Sequence, residues 1–395
     1  MRVSAALLVV ACLGSIVEAD VLVRWDQADV PSRATLGIAS LVVPAANSGA
    51  IDRAEREGFA VYVEQASEAR LTPRHDSPGA EGIALESRGK WPHIRANFVA
   101  RNNVISQVAS RTAQPWIENN AALLRVLQTS ASGSYPMLTY AWTPVTRAES
   151  EEGPAVENYL VAIAEAGSFG GNVLLRLHPR LQKDLLLGKP QARAAWNDIR
   201  RYIDFYADNL PRRYRRVVDV AVVTAEPMRA FEIINLLARH NVPFEIVDPK
   251  TAASRDLAPF KLLIVPDHVP DAASVATSFG ARGVLVTAEQ SRDPNKLALE
   301  IRRLLGREKR TIDIWNGITV IAAPYQDPDG SGMLVTAVNY TYQPLPVQMR
   351  VRGTFSQVQF ESPEQDAVLL PHERRDGFTE FVIPALRVGG RVFLH

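Results

Sequence analysis

Residues 137–142 read Met-Leu-Thr-Tyr-Ala-Trp, residues 154–166 read Pro-Ala-Val-Glu-Asn-Tyr-Leu-Val-Ala-Ile-Ala-Glu-Ala, and residues 173–177 read Val-Leu-Leu-Arg-Leu. Two short apolar runs flank a segment long enough for a helix, the pattern of a strand–helix–strand unit. Gly153-Pro154 opens the helix, with proline in the first turn, where its missing N–H costs nothing. Gly167, just past Ala166, is the expected stop. A helical crossover between two strands sets them parallel.

The same alternation extends outward through residues 20–210. Strands are predicted at 21–25, 38–43, 60–64, 82–86, 94–98, 104–109, 137–142 and 173–177, with helices at 49–57, 114–128, 154–166 and 191–208. Eight strands alternating with helices predict a closed α/β barrel. The links among the fourth, fifth and sixth strands are too short for full crossover helices. The expectation is therefore a small or incomplete (β/α)8 barrel, with an irregular stretch near residues 88–101.

A second unit begins at Val217, with strands at 218–224, 244–247, 262–265 and 283–287 and helices at 228–240 and 295–305. This reads as a doubly wound α/β domain. Its first strand–helix turn is Thr224-Ala225-Glu226-Pro227, without the glycines that let backbone N–H groups approach a phosphate, so nucleotide binding is not expected there. From Thr311 onward short strands alternate with turn pairs (Asn316-Gly317, Asp329-Gly330, Asp376-Gly377, Gly389-Gly390), which predicts a C-terminal antiparallel β-sandwich. The expected organisation is a leader over 1–19, a TIM-barrel-like domain over 20–212, the α/β domain over 217–306 and the sandwich over 311–395.

Lysine and arginine number 44 against 43 acids, so no bulk field favours nucleic acid. The lone cysteine, Cys12, lies in the N-terminal apolar stretch. That excludes a disulfide framework, a thiolate metal cluster and a cysteine nucleophile in the mature body. No metal-ligand spacing stands out, and no cofactor is expected. Met1-Arg2, an apolar run to Val17 and the small residues up to Ala19 read as a secretory signal, placing the protein outside the cell or in a periplasm. Val9-Val10-Ala11-Cys12 offers the alternative of a lipoprotein anchored through Cys12. No later segment has the ~18 apolar residues of an integral membrane span.

The order of barrel, doubly wound domain and sandwich resembles that of secreted bacterial glycoside hydrolases similar to the trimeric beta-galactosidases. Three stretches carry the resemblance: Ser110 to Ile117; Pro136 to Trp142 with Glu165 to Gly171; and Met333 to Tyr342, finished by Phe381-Val382-Ile383-Pro384. It implies a TIM barrel, a glutamine-amidotransferase-like domain and a β-domain, an oligosaccharide or glycoside as partner, and a homo-oligomer. The chain departs from that clan's pattern. No Asn-Glu pair occurs in the barrel, the seventh strand ends in Tyr140-Ala141-Trp142 without a carboxylate, and the amidotransferase-like unit has no cysteine.

Barrel enzymes gather catalytic groups at the carboxyl ends of strands, and glycoside hydrolysis needs two carboxyls. The acids at predicted strand ends are Asp26, Glu64 and Glu86. Glu64 and Glu86 form the candidate catalytic pair. The alternative is that they solvate loop starts or bind Arg88 or Arg111. Asp26, Arg111, Tyr140, Trp142 and His178 are the candidate saccharide contacts, with Trp25 as a further stacking surface, since sugar C–H faces pack on aromatic rings. Arg95 and Asn97 alternate with apolar neighbours as lumen residues would. Asn339-Tyr340-Thr341 matches a glycosylation acceptor. Two functions follow: a glycoside hydrolase acting at the barrel mouth, or a catalytically inactive relative that binds sugar or serves as a scaffold.

Overall fold

The computed structural model describes residues 21–395 apart from 75–81, 96, 102–103, 109–115, 131–136, 145, 253–256, 271, 280–282 and 288–293. The leader, Cys12 and Arg111 lie outside the described residues.

β1 (Val21–Arg24), α1 (Arg33–Leu36), β2 (Ser40–Pro44), α2 (Ser48–Arg56) and β3 (Ala60–Gln65) follow the expected alternation, with the three strands parallel. The next link, 66–69, is too short for a crossover. β4 (Arg70–Pro73) therefore folds back antiparallel to β3, out of a turn in which Ala69 takes a left-handed φ of 48°. β5 (Ile83–Glu86) reverses again. β6 (His93–Arg95) pairs with β9 (Trp116–Glu118), and β7 (Asn97–Arg101) with β8 (Val104–Val108), as two ribbons outside the ring. α3 (Ala121–Ser130) leads into β10 (Met137–Thr139). α4 (Arg147–Glu152) and α5 (Val156–Ser168) then lead into β11 (Asn172–Arg176), which pairs with β1 and closes the sheet. α6 (Pro179–Leu186) and α7 (Pro190–Tyr206) complete this half.

The closed sheet has seven strands in the order β1-β11-β10-β5-β4-β3-β2. Six share one direction and β4 opposes them, so the ring is not a regular (β/α)8 barrel. The strands expected at 94–98 and 104–109 fall in the ribbons. Links without room for a helix let a strand pair only antiparallel with its neighbour. β4 itself, Arg-Leu-Thr-Pro, lacks the apolar run that marked the others.

Side chains alternate in and out along each barrel strand. Leu22, Val42, Leu71, Met137 and Leu174 form a separate buried cluster with Tyr62, Ile83 and Leu85 against it, which is the lumen floor. The outward residues join the large core under the helices. α5 is the centre of that core: all its residues from Tyr159 to Ser168 are buried, as expected of a helix apolar on every side. Gly167 is not the helix stop, because α5 runs on through Ser168. A Cβ there would lie 2.3 Å from the ring of Tyr206, so the glycine serves the close approach of α7.

A two-stranded pairing of β12 (Arg215–Arg216) leads from the barrel to β13 (Val220–Val223), α8 (Phe231–Arg239), β14 (Phe244–Val247), α9 (Pro249–Ala252), β15 (Leu262–Pro266), α10 (Ala272–Ser278), β16 (Gly283–Thr287) and α11 (Pro294–Lys309). The four strands β14-β13-β15-β16 form an all-parallel sheet. Two antiparallel sheets follow. The first joins β12, β18 (Val320–Gln326), β19 (Met333–Asn339), β25 (Gly389–Leu394), β21 (Val358–Ser362) and β22 (Gln365–Leu369). The second joins β17 (Ile312–Ile314), β20 (Leu345–Arg352), β24 (Phe378–Leu386) and β23 (His372–Arg375). Val335, Phe360 and Val392 of one sheet share a core with Met349, Val351 and Phe381 of the other, which makes the pair a sandwich. The first sheet also packs on α5. The hydroxyls of Tyr325 and Thr336 donate to the Ser168 carbonyl at 2.9 and 2.8 Å.

Candidate functional site at the barrel mouth

Two residues beyond the lumen floor, toward the carboxyl ends of the parallel strands, the inward positions become polar: Arg24 on β1, Glu64 on β3, Thr139 on β10 and Arg176 on β11. Arg176 Nη2 donates to Glu64 Oε1 at 2.5 Å, and its Nε donates to the Thr139 hydroxyl at 2.8 Å. Arg24 Nε lies 3.0 Å from Glu64 Oε2. That contact is ionic in distance, but its angle does not make a hydrogen bond, so both atoms remain without a directed partner. β3 is not adjacent to β1 or β11 in the sheet, so these contacts cross the lumen. Glu64 is 6% exposed, against 20% for Arg24 and 32% for Arg176. Burial holds the Arg176 guanidinium below its ordinary value, with Glu64 opposing that shift.

Asp26 stands on the rim, 31% exposed. Its Oδ1 lies 2.9 Å from Arg24 Nη2. Gln182 of α6, fully buried, donates to Asp26 Oδ2 at 3.3 Å and to the Leu177 carbonyl at 2.7 Å, and accepts from the Asp26 N–H at 2.8 Å. The site therefore joins two carboxylates through one guanidinium, with a second guanidinium, a hydroxyl and an amide around them. Its formal charges cancel.

The structure brings Asp26 and Glu64 together, and not the pair expected from sequence. β4 lies between β3 and β5, so Glu64 and Glu86 come from strands that do not touch. In register Glu64 faces Leu71 and Leu71 faces Ile83, three residues short of Glu86. Two strand spacings and three residues of rise place the two backbones about 14 Å apart. Glu86 turns to its own loop, accepting from Arg88 Nε at 2.8 Å and Nη2 at 2.7 Å. These bonds draw its carboxyl below the usual range, with burial opposing.

The aromatic candidates face away from the lumen. With Thr139 inward, alternation turns Tyr140 outward, where its ring lies 5.2 Å from that of Trp91. Trp91 also meets Trp142 edge-on at 6.3 Å and Tyr159 at 5.5 Å. Trp142 Nε1 donates to the Glu149 carbonyl. Trp25 is buried with its Nε1 donating to the Asp29 carbonyl at 2.7 Å. His178 is the N-cap of α6, its Nδ1 accepting from the Arg180 N–H and its Nε2 3.2 Å from the Ser150 carbonyl. Arg95 and Asn97 belong to the ribbons. Asn339 is buried and donates to the carbonyls of Gln343, Leu386 and Arg387, so the glycosylation sequence is inaccessible.

Arg24, Arg176 and Gln182 escaped the sequence reading. The signal was present in Val-Leu-Val-Arg and Leu-Leu-Arg-Leu: an arginine within an apolar barrel strand has to meet a carboxylate or leave the fold.

No family model and no curated protein sequence matches the chain. Among solved structures it is similar to alpha-L-fucosidase isoenzyme 2 from Paenibacillus thiaminolyticus, at 11% identity over 70% of this chain and 62% of that one, with a TM-score of 0.50. The chain carries a glycoside-hydrolase-like fold. Weaker similarity extends to a GH42 exo-carrageenase from Bacteroides ovatus (9% identity, 68% of this chain and 44% of that one, TM-score 0.38) and to a beta-galactosidase from Rahnella sp. R3 (10%, 68% and 57%, TM-score 0.38). The chain spans less than two thirds of the length of each. Among the described residues, no helix is long and apolar enough to cross a membrane.

Proposed function

We propose that this is an exported protein that binds a neutral oligosaccharide or glycoside at the barrel mouth without hydrolysing it. The observation that carries this reading is the layer Arg24–Glu64–Arg176–Thr139 with Asp26 at its edge. Its partly open guanidinium and carboxylate groups supply both donors and acceptors, as sugar hydroxyls require. Its balanced charge favours an uncharged ligand. Both Glu64 oxygens already face guanidiniums, which leaves that carboxylate poorly placed to attack an anomeric carbon or to pass a proton to a leaving oxygen.

A second reading is hydrolysis by Asp26 and Glu64, favoured by their shared hold on Arg24. The contacts through that guanidinium bring their nearest oxygens within about 8 Å, inside the range that hydrolytic carboxyl pairs use. Calorimetric titration with a panel of neutral oligosaccharides, alongside turnover assays on aryl glycosides, separates the two. Binding weakened tenfold or more by Arg176→Ala, with no turnover, is the expected result. Turnover abolished by Asp26→Asn or Glu64→Gln would replace the binding reading with the hydrolytic one. Absence of both binding and turnover would overturn the carbohydrate reading altogether.

A further inference from the structure

The α/β unit and the sandwich meet at a cleft of about 110 Å³ that the barrel chemistry does not use. Arg239 and His240 at the end of α8, Arg302 in the last turn of α11 before its break at Gly306, Asp313 on β17, and Gly317 and Ile318 in the following turn line it.

The cleft's lining is mostly cationic, with Glu232 and Glu118 acting on Arg239 from outside it. The carboxylate among the described lining residues, Asp313, is buried and already engaged, with Oδ1 on Arg310 and Oδ2 accepting from Arg350 Nη2 at 2.8 Å. Arg310 is nonetheless close enough to Arg302, Arg350 and Arg307 for all three to act on it unfavourably. Arg302 makes no hydrogen bond or ion pair among the described residues, and neither does the His240 ring. Burial, followed by the charges of Arg239 and Arg302, pushes His240 down to about 4, so at neutral pH the ring offers an uncharged N–H. A helix C-terminus accounts for cations at Arg239 and His240. Arg302 likewise lies in the last turn of its helix, before the non-helical Gly306, but it belongs to another element, so two helix ends bring cations to one cleft.

We infer that this cleft is a binding site for a tetrahedral oxyanion, a phosphate or sulfate group, held by Arg302 and Arg239 with His240 as an additional donor. Guanidinium groups are the side chains best matched to such oxygens. Trp315, 38% exposed, lies in the turn that carries Gly317, with Arg307 and Arg350 at 5.7 and 5.8 Å from its ring. An ester of a sugar would therefore find an aromatic surface beside its anion, whereas a free ion would use the cleft alone.

The test is calorimetric titration of the full mature chain at pH 7 with inorganic phosphate, inorganic sulfate, glucose 6-phosphate and glucose 6-sulfate. The proton resonances of His240 are followed against pH in parallel. The expected result is binding that falls at least tenfold in Arg302→Ala, with the thermal midpoint unchanged because that side chain is exposed. Bound phosphate should also raise the His240 titration midpoint, by adding negative charge beside the ring, and Arg302→Ala should remove that rise. Tighter binding of the esters identifies a sugar-linked group; equal or tighter binding of the free ions identifies the ion. No binding of any of the four at millimolar concentration, or binding indifferent to Arg302→Ala and silent at His240, overturns the inference.

Discussion

Replacing Glu64 by alanine tests whether the polar layer in the barrel holds the ring together. The substitution removes the acceptor of the 2.5 Å bond from Arg176 and the counter-charge 3.0 Å from Arg24, leaving two guanidiniums in the lumen. Removing one partner of a buried ion pair costs about 3–5 kcal/mol. Here Arg176 is about a third exposed and keeps Thr139, while Arg24 keeps Asp26, so water and the surviving partners recover part of that. The expected loss is about 2–3 kcal/mol, discounted in that way from the buried-pair figure. Glu64→Gln keeps the volume and one acceptor and should lose only about 1–2 kcal/mol. Urea unfolding followed by tryptophan fluorescence reports on this half, since five of the six tryptophans (25, 91, 116, 142 and 196) precede residue 210. A Glu64→Ala midpoint equal to that of the parent, at unchanged slope, would show the cross-lumen contacts to be energetically idle. Equal losses for the alanine and glutamine variants would show that volume, and not charge, is what Glu64 supplies.

Glu165 on α5 is wholly buried and accepts from the Asn120 N–H, the Asn120 side chain and the Tyr340 hydroxyl, each at 2.6 Å. Burial lifts its carboxyl to about 7 against the pull of those bonds, above the unfolded value of about 4.3. A raised native value means a contribution fully present below the unfolded value and lost as pH rises through 7. The urea midpoint of the parent relative to that of Glu165→Gln should thus fall between pH 5 and pH 7.5, a difference in which the opposite contribution of His240 cancels. Tyr340→Phe removes a donor that favours the carboxylate, so it should cost about 1.5–3 kcal/mol at pH 7.5 and less at pH 5. A pH-independent loss would contradict this. Gly167→Ala should lower the thermal midpoint by the equivalent of about 1–3 kcal/mol, because its Cβ meets the buried ring of Tyr206. A variant as stable as the parent would mean that α7 gives way more easily than its packing suggests.

The parallel strands were legible because apolar runs at crossover spacing leave few alternatives. β1, β2, β3, β5 and β11 all lie within two residues of where hydrophobic pattern puts them, and β10 starts at the expected Met137 but ends three residues early. β4 was not legible: it is held by the strands on either side and by the brevity of links, and its own four residues carry no apolar run. The candidate site was half legible for the same reason. Strand-end acids could be found, and Asp26 and Glu64 are in the mouth. Their pairing depends on which strands adjoin in the ring, and the unrecognised β4 moved Glu86 away. Tyr140 shows the limit of reading a strand end without a phase: one residue of alternation separates a lumen group from one packed under α5.

The same phase explains why the mouth is polar at all. A ring of seven strands is narrow, and one layer of Leu22, Val42, Leu71, Met137 and Leu174 already fills its floor. The next inward layer is two residues nearer the solvent, where arginine heads reach water while their stems rest on that floor. Two arginines there require acids, and Glu64 supplies one from β3 across the lumen while Asp26 supplies the other from the end of β1 itself. Among the described residues Glu64, the deeper of the two, is thus committed to closing the lumen, and Asp26 at the rim is held by Arg24 and Gln182. A hydrolase must instead leave at least one carboxyl free to exchange a proton with substrate. That difference in what the acids are bound to is the physical ground for expecting binding without cleavage from this glycoside-hydrolase-like fold.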